Sequence, residues 1–462
     1  MSLEKQATIS CTQQCEQSAI AKDVAECLKS EIPAGETLVV RVIHTSDHPV
    51  DSLTPRRTHS HFNATSALSR RVLILVSRNG CFVAGLEVHE FVTVSADIPC
   101  SLDIYNLHPE QNGTAAATVA VTMDACIQKI DTTGELTVRM PLARSLVAGY
   151  VYSLRRYRCV DGISNIGVYL FARAQPEYLF AKSQQNRGKH TLNDMALIKW
   201  WQGTIQSALM YAMSADECKN EHGTSSDCKA YCVIPGAAAS EAYAPWFLGS
   251  RRNTDNNASA ESTDKQKSAS NDAYTENPSV RWAWGLPYPD NARAHDCVLQ
   301  FPDDPMTRLL SESHSSSWSV AMLLEMLSVS EECGSGHRTA YISASLPTEN
   351  FKHPPMELLP QGAATACQGS LSFDDYDDIL VALFDRNMDF SDTKASLSST
   401  TRLNSYLDSK YSIQAVVVKT FGPSVSQRST DTSAGTSPSS KKIDAPKVND
   451  LTMMVRKKRK VT

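Results

Sequence analysis

The sequence contains no apolar run close to the roughly 20 residues that a membrane-spanning helix requires. The segment Met1–Ala21 is polar and lacks the apolar stretch of a signal peptide, so we expect an intracellular protein. Hydrophobic residues make up 42% and charged residues 21% of the chain, which is ordinary for a globular protein with a sizeable core. Its 462 residues are enough for two or three average domains, or for one large domain with insertions.

Several familiar catalytic signatures are also missing. The segment Gly188–His190 ends in histidine and lacks the upstream glycine of a phosphate-binding P-loop. Gly334–Gly336 lacks the third glycine of a dinucleotide fold, and His89 has no second histidine at the spacing of a zinc peptidase helix. Gln185–His190 only approaches the pyrophosphate-binding signature of the commonest acetyltransferases, because its last position is histidine.

The thirteen cysteines show neither a disulfide framework nor a CxxC pair, which favours reduced thiols. Cys218, His222, Cys228 and Cys232 are residues of types that bind zinc, and their spacing is short. The more ordinary interpretation is a group of thiols around a loop, and we expect no metal.

The hydrophobic pattern predicts strands in the first third of the chain and a mixture of helices and strands beyond it. The predicted strands are Thr37–His44, Arg71–Ser77, Cys81–Val94, Ala117–Met123, Gly167–Ala172 and Thr339–Ala344. The predicted helices are Pro141–Leu154 and Leu192–Met213. The regular alternation of a βαβ protein is absent. The predicted fold class is therefore α+β, with one large mixed α/β domain in which helices flank a central sheet.

Two polar stretches, 251–279 and 424–450, have the composition of disordered segments. We therefore predict a polar extension over residues 1–30 and one catalytic domain over 31–423, interrupted by a disordered insertion at 251–279. A flexible linker at 424–450 and a basic tail at 451–462 would complete the chain.

Charge is unevenly distributed along the chain, whose formal net charge is −5. The run Asp374–Asp378 is almost purely acidic, and we expect it to face solvent at the start of a helix. Arg456–Lys460 is purely basic without interleaved aromatics, a composition typical of a nuclear localisation signal or a loose electrostatic contact. The mildly acidic body is compatible with a basic partner.

The densest group of candidate functional residues lies between Val168 and Trp201, where the pattern predicts a strand, a polar loop and a helix start. Aromatic side chains would supply walls and cationic ones would supply donors: Phe171, Tyr178, Trp200 and Trp201, and Arg173, His190 and Lys199. Such a mixture suits a ligand with a long, partly apolar arm and a charged end. A core strand and helix with solvated loop charges would show the same pattern, so both interpretations stay open.

Phe301–Pro305 places two adjacent carboxylates, Asp303 and Asp304, between prolines. One of them could accept a proton from an amine nucleophile while the other supports it. Asp304 followed by Pro305 also matches a helix N-cap with proline at the first helical position. The two interpretations are compatible.

Five blocks of this sequence carry a resemblance to a known family: Leu170–Gln175, Tyr178–Phe180, Gly188–His190, Lys199–Trp201 and Phe301–Pro305. They occur in the same order in the fungal histone H3 lysine acetyltransferases of the regulator-of-Ty-transposition family. The chain thus resembles that family over most of residues 31–462, and the resemblance implies a fold akin to the CREB-binding-protein acetyltransferases. It also implies acetyl-CoA as co-substrate without a metal, and acetyl transfer to histone H3 presented with H4 in the nucleus. Expected partners are histone chaperones of the anti-silencing-factor and nucleosome-assembly-protein types.

The resemblance also implies individual roles. The expected acetyl-CoA contacts are Ile130, Asp131, Thr132, Arg139, Arg144, Phe171, Gln175, His190, Thr191, Leu192 and Trp200. Trp201 and Asp304 would border the acceptor lysine, with Asp303 in support. The family often carries an acetylated lysine directly after the Phe301–Pro305 block, whereas this chain has Met306 there and cannot be modified at that position.

Two other functions remain compatible with the sequence. A non-enzymatic chromatin scaffold that binds histone chaperones would explain the polar insertion, the acidic run and the basic tail. A nucleic-acid-binding protein would use the tail alone.

Overall fold

The computed structural model describes residues 20–29, 32, 36–50, 53, 67–95, 120–135, 141–158, 163–214, 228–237, 280–334, 337–347, 370–411, 413 and 415–419. All of them belong to a compact unit that ends at Gly422. The predicted insertion at 251–279, the linker at 424–450 and the tail at 451–462 lie outside the described residues, as does the basic run Arg456–Lys460.

A single mixed sheet organises the described part of the chain. Its strands are β1 (Thr37–His44), β2 (His48–Val50), β3 (Ala67–Arg78), β4 (Cys81–Ser95), β5 (Ala120–Thr132), β6 (Ile163–Ala172), β7 (Cys228–Val233), β8 (Val280–Trp284), β9 (Ala340–Pro347) and β10 (Ala415–Lys419). Their order is β10-β1-β3-β4-β5-β6-β9-β7-β8, with β2 paired to β3. The β5–β6 and β7–β8 pairs are parallel and the other pairs antiparallel.

Helices cover both faces of this sheet. They are α1 (residues 20–29), α2 (Leu142–Ser153, continued as a π-helix over Leu154–Arg158), α3 (Asp194–Ser214), α4 (Ala294–Cys297), α5 (Pro305–Leu310), α6 (Val320–Val329), α7 (Glu331–Gly334), α8 (Phe373–Leu383) and α9 (Thr393–Lys410). Short 3-10 turns occupy Ser183–Gln185 and Ser315–Ser317. Among the described residues, no helix is both long and apolar enough to span a bilayer.

The alternation of side chains along β3 divides the core into two layers. Val72, Ile74 and Val76 join the cluster under α1, α2 and α3, whereas Leu73 and Leu75 join the cluster under α8 and α9. Alternate residues of a strand point to opposite faces of the sheet, so the two helical groups pack on opposite faces. The α+β class and the central sheet flanked by helices are therefore confirmed.

Most strongly patterned segments adopt the predicted structure. The strand Thr37–His44 has the predicted bounds, and the helices predicted at Pro141–Leu154 and Leu192–Met213 are α2 and α3 within two residues. The strand predicted at Ala117–Met123 is β5, which begins at Ala120 and continues to Thr132. The second half of β5 carries polar residues on one face, and because of this pattern it was not predicted as a strand.

Helix α1 lies within the stretch that the sequence interpretation assigned to a polar extension over residues 1–30. Ile20, Val24 and Leu28 recur every four residues, and all three are buried in the core beneath α2. This spacing places them on one face of a helix. The prediction missed it because the flanking residues are polar. The domain division itself stays a prediction.

The contact between α1 and α2 requires glycine at position 149. A Cβ built on Gly149 would lie 2.7 Å from Cα of Val24, so the two helices approach at backbone distance. By contrast, a Cβ on Gly203 in α3 would meet only Nη2 of Arg144 at 3.7 Å, an ordinary contact.

We predict that Gly149→Ala and Gly203→Ala have opposite effects on stability. The first forces backbone atoms apart and should cost ~1–3 kcal/mol, the usual penalty for overpacking. The second replaces a helical glycine without a clash and should be neutral or stabilise by up to ~1 kcal/mol. Urea denaturation of the two variants measures this difference. Equal free energies of unfolding would contradict the close α1–α2 contact.

Candidate active site

Two adjoining cavities lie beside the ends of β5 and β6. The larger has a volume of about 490 Å³ and is lined by residues of β5, β6, α2, α3 and the loop between β6 and α3. The smaller, of about 270 Å³, is lined by β5, β6, β9 and the segments around Leu286 and Phe301. They share a wall made of Ile127, Gln128, Lys129, Leu170, Phe171, Arg173, Gln175 and Tyr178. A ligand in one cavity can therefore reach a ligand in the other.

A buried carboxylate, Asp131, holds the loop that forms this wall. Its Oδ2 accepts hydrogen bonds from the backbone N–H groups of Tyr178, Leu179 and Phe180 at 2.8, 3.0 and 3.2 Å. Its Oδ1 accepts from Nζ of Lys189 at 2.7 Å, and both side chains are at least 95% buried. Asp131 therefore ties the end of β5 to the two segments that follow β6.

The same segments touch through two glycines. A Cβ on Gly188 would lie 2.1 Å from the carbonyl oxygen of Gly134, and a Cβ on Gly134 would lie 2.4 Å from the backbone nitrogen of Lys189. Gly134 also has φ +86°, a backbone conformation that favours glycine. Gly188 belongs to one of the blocks that carry the family resemblance, and its contact with Gly134 could not be predicted from the sequence.

An irregularity in the β4–β5 ladder places Asp131 on the face of the sheet from which it binds the Tyr178–Phe180 segment. Glu87 pairs with Lys129 and Val88 pairs with Ile127, so Gln128 has no counterpart on β4. The extra residue shifts the alternation of side chains along β5. Asp131 consequently lies on the face opposite to the core residue Ile127.

The larger cavity brings together the predicted acetyl-CoA contacts. Ile130, Asp131, Thr132, Arg144, Phe171, Gln175, His190, Thr191, Leu192 and Trp200 all line it. Arg139 lies outside the described residues. Asp131 and Thr132 are the last residues of β5.

Three guanidinium groups give the larger cavity its positive charge. Arg144, Arg173 and Arg187 line it, and in the described part of the chain none of them forms a carboxylate pair. Lys189 also lines the cavity, but its charge is matched by Asp131. Arginines without carboxylate partners at a cavity edge can bind phosphate oxygens.

Trp200 and Trp201 form the α3 wall of the larger cavity. Their ring centroids lie 4.9 Å apart with an interplanar angle of 70°. Trp201 is buried in the main core, whereas Trp200 is half-buried against it. Trp201 lines the larger cavity and not the smaller one, so it does not share a wall with Asp303 and Asp304.

Phe301 fixes the segment that carries those two carboxylates. Its ring packs against Phe91 and Tyr169, with centroids 5.6 and 5.2 Å away, on the sheet face that floors the smaller cavity. Asp303 and Asp304 line this cavity. Phe301 was quoted only as part of a motif, and its packing on the sheet could not be seen without the strand register.

Asp304 adopts the predicted N-cap geometry of α5. Its side chain accepts a hydrogen bond from the backbone N–H of Met306 at 3.2 Å, and Pro305 occupies the first helical turn. Asp303 is exposed and has φ +61°, in the left-handed region that is uncommon for residues other than glycine. Strained backbone of this kind occurs often at functional sites. Met306 is buried in the cavity wall at the position where the resembling family often has lysine.

The floor of the smaller cavity is neutral. Burial, followed by the charge of Asp304, raises the pKa of the Cys126 thiol well above its usual value. Burial, followed by the charge of Arg71, lowers the pKa of His89 to about 4. Both groups are uncharged near neutral pH; His89 is the β4 partner of Cys126 and does not itself line the cavity. The charged side chains that line it are Lys129, Arg173, Asp303, Asp304 and Arg308.

Tyr178 is the functional candidate that was named as an aromatic wall but not assigned to the site. It lines both cavities, its hydroxyl donates to the carbonyl of Arg173 at 2.7 Å, and it accepts from the backbone N–H of Gln175 at 2.9 Å. Burial raises the pKa of this phenol, which stays protonated. The side chain thus shapes the shared wall.

The cysteine group considered for zinc is only partly described. Cys228 and Cys232 are buried in β7, and Sγ of Cys228 lies 3.1 Å from Sδ of Met213. Cys218 and His222 lie outside the described residues. The acidic run Asp374–Asp378 lies at the start of α8 with Asp374, Asp377 and Asp378 exposed, as predicted, whereas Tyr376 within it is buried.

Comparison with known proteins gives a consistent picture. A family model for the histone acetyltransferase KAT11-type domain matches residues 111–459. The histone acetyltransferase rtt109 of Aspergillus flavus is 28% identical over 253 residues, which cover 47% of this chain and 41% of that protein. The protein of the same name from Schizosaccharomyces pombe is 27% identical over 191 residues, covering 40% and 42%. The chain thus spans less than half the length of these two relatives.

The crystal structure of Rtt109 from Aspergillus fumigatus resembles the present fold with a TM-score of 0.58. The match covers 86% of this chain and 100% of that one at 20% sequence identity. At this identity the likeness establishes a shared fold.

We predict that Asp131→Asn strongly destabilises the protein, because it leaves the buried ammonium of Lys189 without a counter-charge. Removing one partner of a buried pair typically costs ~3–5 kcal/mol. Lys182→Met, which removes an exposed pair with Asp389, should cost less than ~1 kcal/mol. Urea denaturation measures both losses. The double variant Asp131→Asn/Lys189→Met should cost less than the two single changes added together, and strict additivity would refute the coupling.

Proposed function

The chain belongs to the histone acetyltransferase KAT11-type family, and from this premise we propose that it transfers the acetyl group of acetyl-CoA to a lysine ε-amine of histone H3. The observation that carries the proposal is the pair of adjoining cavities. The larger is edged by Arg144, Arg173 and Arg187, the smaller holds Asp303 and Asp304 beside Arg308, and the two meet at a shared wall. Two substrates of opposite charge could therefore place their reactive ends together.

The larger cavity suits acetyl-CoA in both shape and charge. Arg144 and Arg187 would bind phosphate oxygens at the exposed edge. Phe171 and Leu192 would contact the pantetheine arm, and Trp200 would pack on the co-substrate. When bound, acetyl-CoA supplies a thioester whose carbonyl carbon accepts the amine nucleophile.

The smaller cavity suits a lysine side chain. Its apolar and aromatic walls, including Phe171, Tyr288 and Tyr341, would cover the aliphatic stem. Asp303 and Asp304 would attract the ammonium group at the cavity edge. Long-range attraction between the acidic carboxylates and a basic histone would also favour encounter.

The acceptor amine must lose a proton before it attacks, because an ammonium ion has no lone pair. Burial against the apolar wall would lower the pKa of the amine. Asp304 could then accept the proton while one of its oxygens keeps the cap on Met306. Capping and proton transfer are thus compatible roles for the same carboxylate. No covalent enzyme intermediate is needed.

The physiological setting follows from the same proposal. The substrate would be histone H3 within H3–H4, delivered by histone chaperones of the anti-silencing-factor or nucleosome-assembly-protein type. The protein would act in the nucleus, with the Arg456–Lys460 run as the signal. Acetylation of newly delivered histone would connect it to chromatin assembly and the DNA-damage response.

We predict that the purified protein binds acetyl-CoA and acetylates histone H3, slowly alone and faster with a histone chaperone. Calorimetry with acetyl-CoA and incorporation of labelled acetyl into H3–H4 measure the two properties. If the protein neither binds acetyl-CoA nor transfers label to H3 with a chaperone present, it is not an acetyltransferase. Chaperone binding without acetyl-CoA binding would instead indicate a scaffold.

We predict that the turnover of Asp304→Asn falls at least ~10-fold. A loss of this size is at or below the low end of the rate factor that a positioned general base contributes. Asparagine caps a helix about as well as aspartate, so the melting temperature and acetyl-CoA affinity should not change. The deficit should shrink as pH rises, because more of the amine is then already deprotonated.

Asp392→Asn is the matched control, since Asp392 caps α9 through the N–H of Ala395 at 2.9 Å and lines neither cavity. Its turnover should equal that of the unmodified protein. Normal turnover of folded Asp304→Asn at every pH would leave Asp304 with the cap alone.

A further inference from the structure

The floor of the smaller cavity is a row of side chains across three strands. Cys126 of β5 pairs with Tyr169 of β6, which pairs with Ser343 of β9. All three line the cavity. The next row toward the larger cavity contains Phe171 paired with Tyr341, and Phe171 belongs to the shared wall.

Ser343 carries a buried hydroxyl whose hydrogen bonding differs from that of Ser345, the next residue on the same face of β9. The residue is 5% exposed, and its Oγ is buried without a hydrogen-bond partner in the described part of the chain. Ser345, two residues further along the same face of β9, donates its hydroxyl to Oδ1 of Asn165 at 2.6 Å and lines neither cavity. A buried hydroxyl without a partner weakens the folded state.

Such a group is explained if a ligand completes its hydrogen bonding. A hydroxyl needs only a rotation about χ1 to turn toward the cavity. The floor beside it is neutral, since the Cys126 thiol stays protonated, and the carboxylates of Asp303 and Asp304 lie on the opposite segment. A neutral polar group, such as a peptide amide, fits this position better than a charged one.

The distance along β9 identifies which part of the acceptor would lie there. Successive residues on one face of a strand are about 7 Å apart, so Ser343 lies about that far from the Tyr341 row. This separation is comparable to the reach of an extended lysine side chain. An acceptor whose ε-amine lies at the shared wall would therefore have its main chain near Ser343.

We propose that Ser343 is an acceptor-binding residue whose hydroxyl hydrogen-bonds a main-chain amide of the lysine-bearing segment in the smaller cavity. The inference rests on the proposed acetyl transfer and adds to it a determinant of acceptor binding. Ser343 touches the acceptor and not acetyl-CoA, so the two substrates should respond differently to its removal.

The test compares Ser343→Ala with Ser345→Ala. In Ser343→Ala the KM for histone H3–H4 should rise about 3- to 10-fold, the loss expected for one hydrogen bond. Its kcat and its acetyl-CoA affinity by calorimetry should stay within about twofold, and its melting temperature should be unchanged or higher because an unsatisfied group is gone. Ser345→Ala should show the reverse, with a lower melting temperature and an unchanged KM.

The possible results separate the inference from the proposed function. An unchanged acceptor KM in an active Ser343→Ala protein overturns the inference alone. A rise in KM accompanied by a lower melting temperature, or by an equal loss of acetyl-CoA affinity, also overturns it in favour of a structural role. Absence of transfer by the unmodified protein overturns the proposed function and this inference together.

Discussion

The carboxylate of Asp131 is the interaction on which the wall between the two cavities depends. Buried charge is tolerated only where it is paired and hydrogen-bonded, and here three backbone N–H groups and the Lys189 ammonium meet that requirement. The segment from Arg173 to Phe180 therefore has one stable position relative to β5. Tyr178 and Gln175, which line both cavities, are carried by that segment.

The parallel pairing of β5 and β6 explains why the site lies where it does. Both strands end at the same edge of the sheet, at Thr132 and Ala172, and the chain leaves each one toward the same side. Ligands of α/β sheets commonly bind outside the carboxyl ends of neighbouring strands. The antiparallel neighbour β9 then extends the floor beyond the parallel pair, and Phe301 closes it from above.

Local patterns were enough to predict part of this arrangement. The helix cap at Asp304 and Pro305 depends on residues close in sequence, and so does the periodicity of α2 and α3. Both features could therefore be predicted from the sequence. The predicted acetyl-CoA contacts in the described residues line one cavity because their blocks flank the strands and helices that form it.

The features that could not be predicted depend on residues distant in sequence. Three features depend on how segments distant in sequence pack together in the fold. They are the contact of Gly134 with Gly188, the packing of Phe301 on Phe91 and Tyr169, and the surroundings of the Ser343 hydroxyl. The separation of Trp201 from the Asp303–Asp304 segment could not be predicted for the same reason.

The unpaired Gln128 in β5 also limits how this protein can diverge. Because side chains alternate between the faces of a strand, one residue more or less reverses every position beyond the change. Loss of a single codon between Cys126 and Asp131 would turn the carboxylate toward the apolar layer that holds Ile127, away from the backbone N–H groups of Tyr178, Leu179 and Phe180 that it binds. Single substitutions between Cys126 and Asp131 are compatible with the site, but insertions and deletions there are not. Relatives that keep the site should therefore align across it without gaps, even where their identities are low.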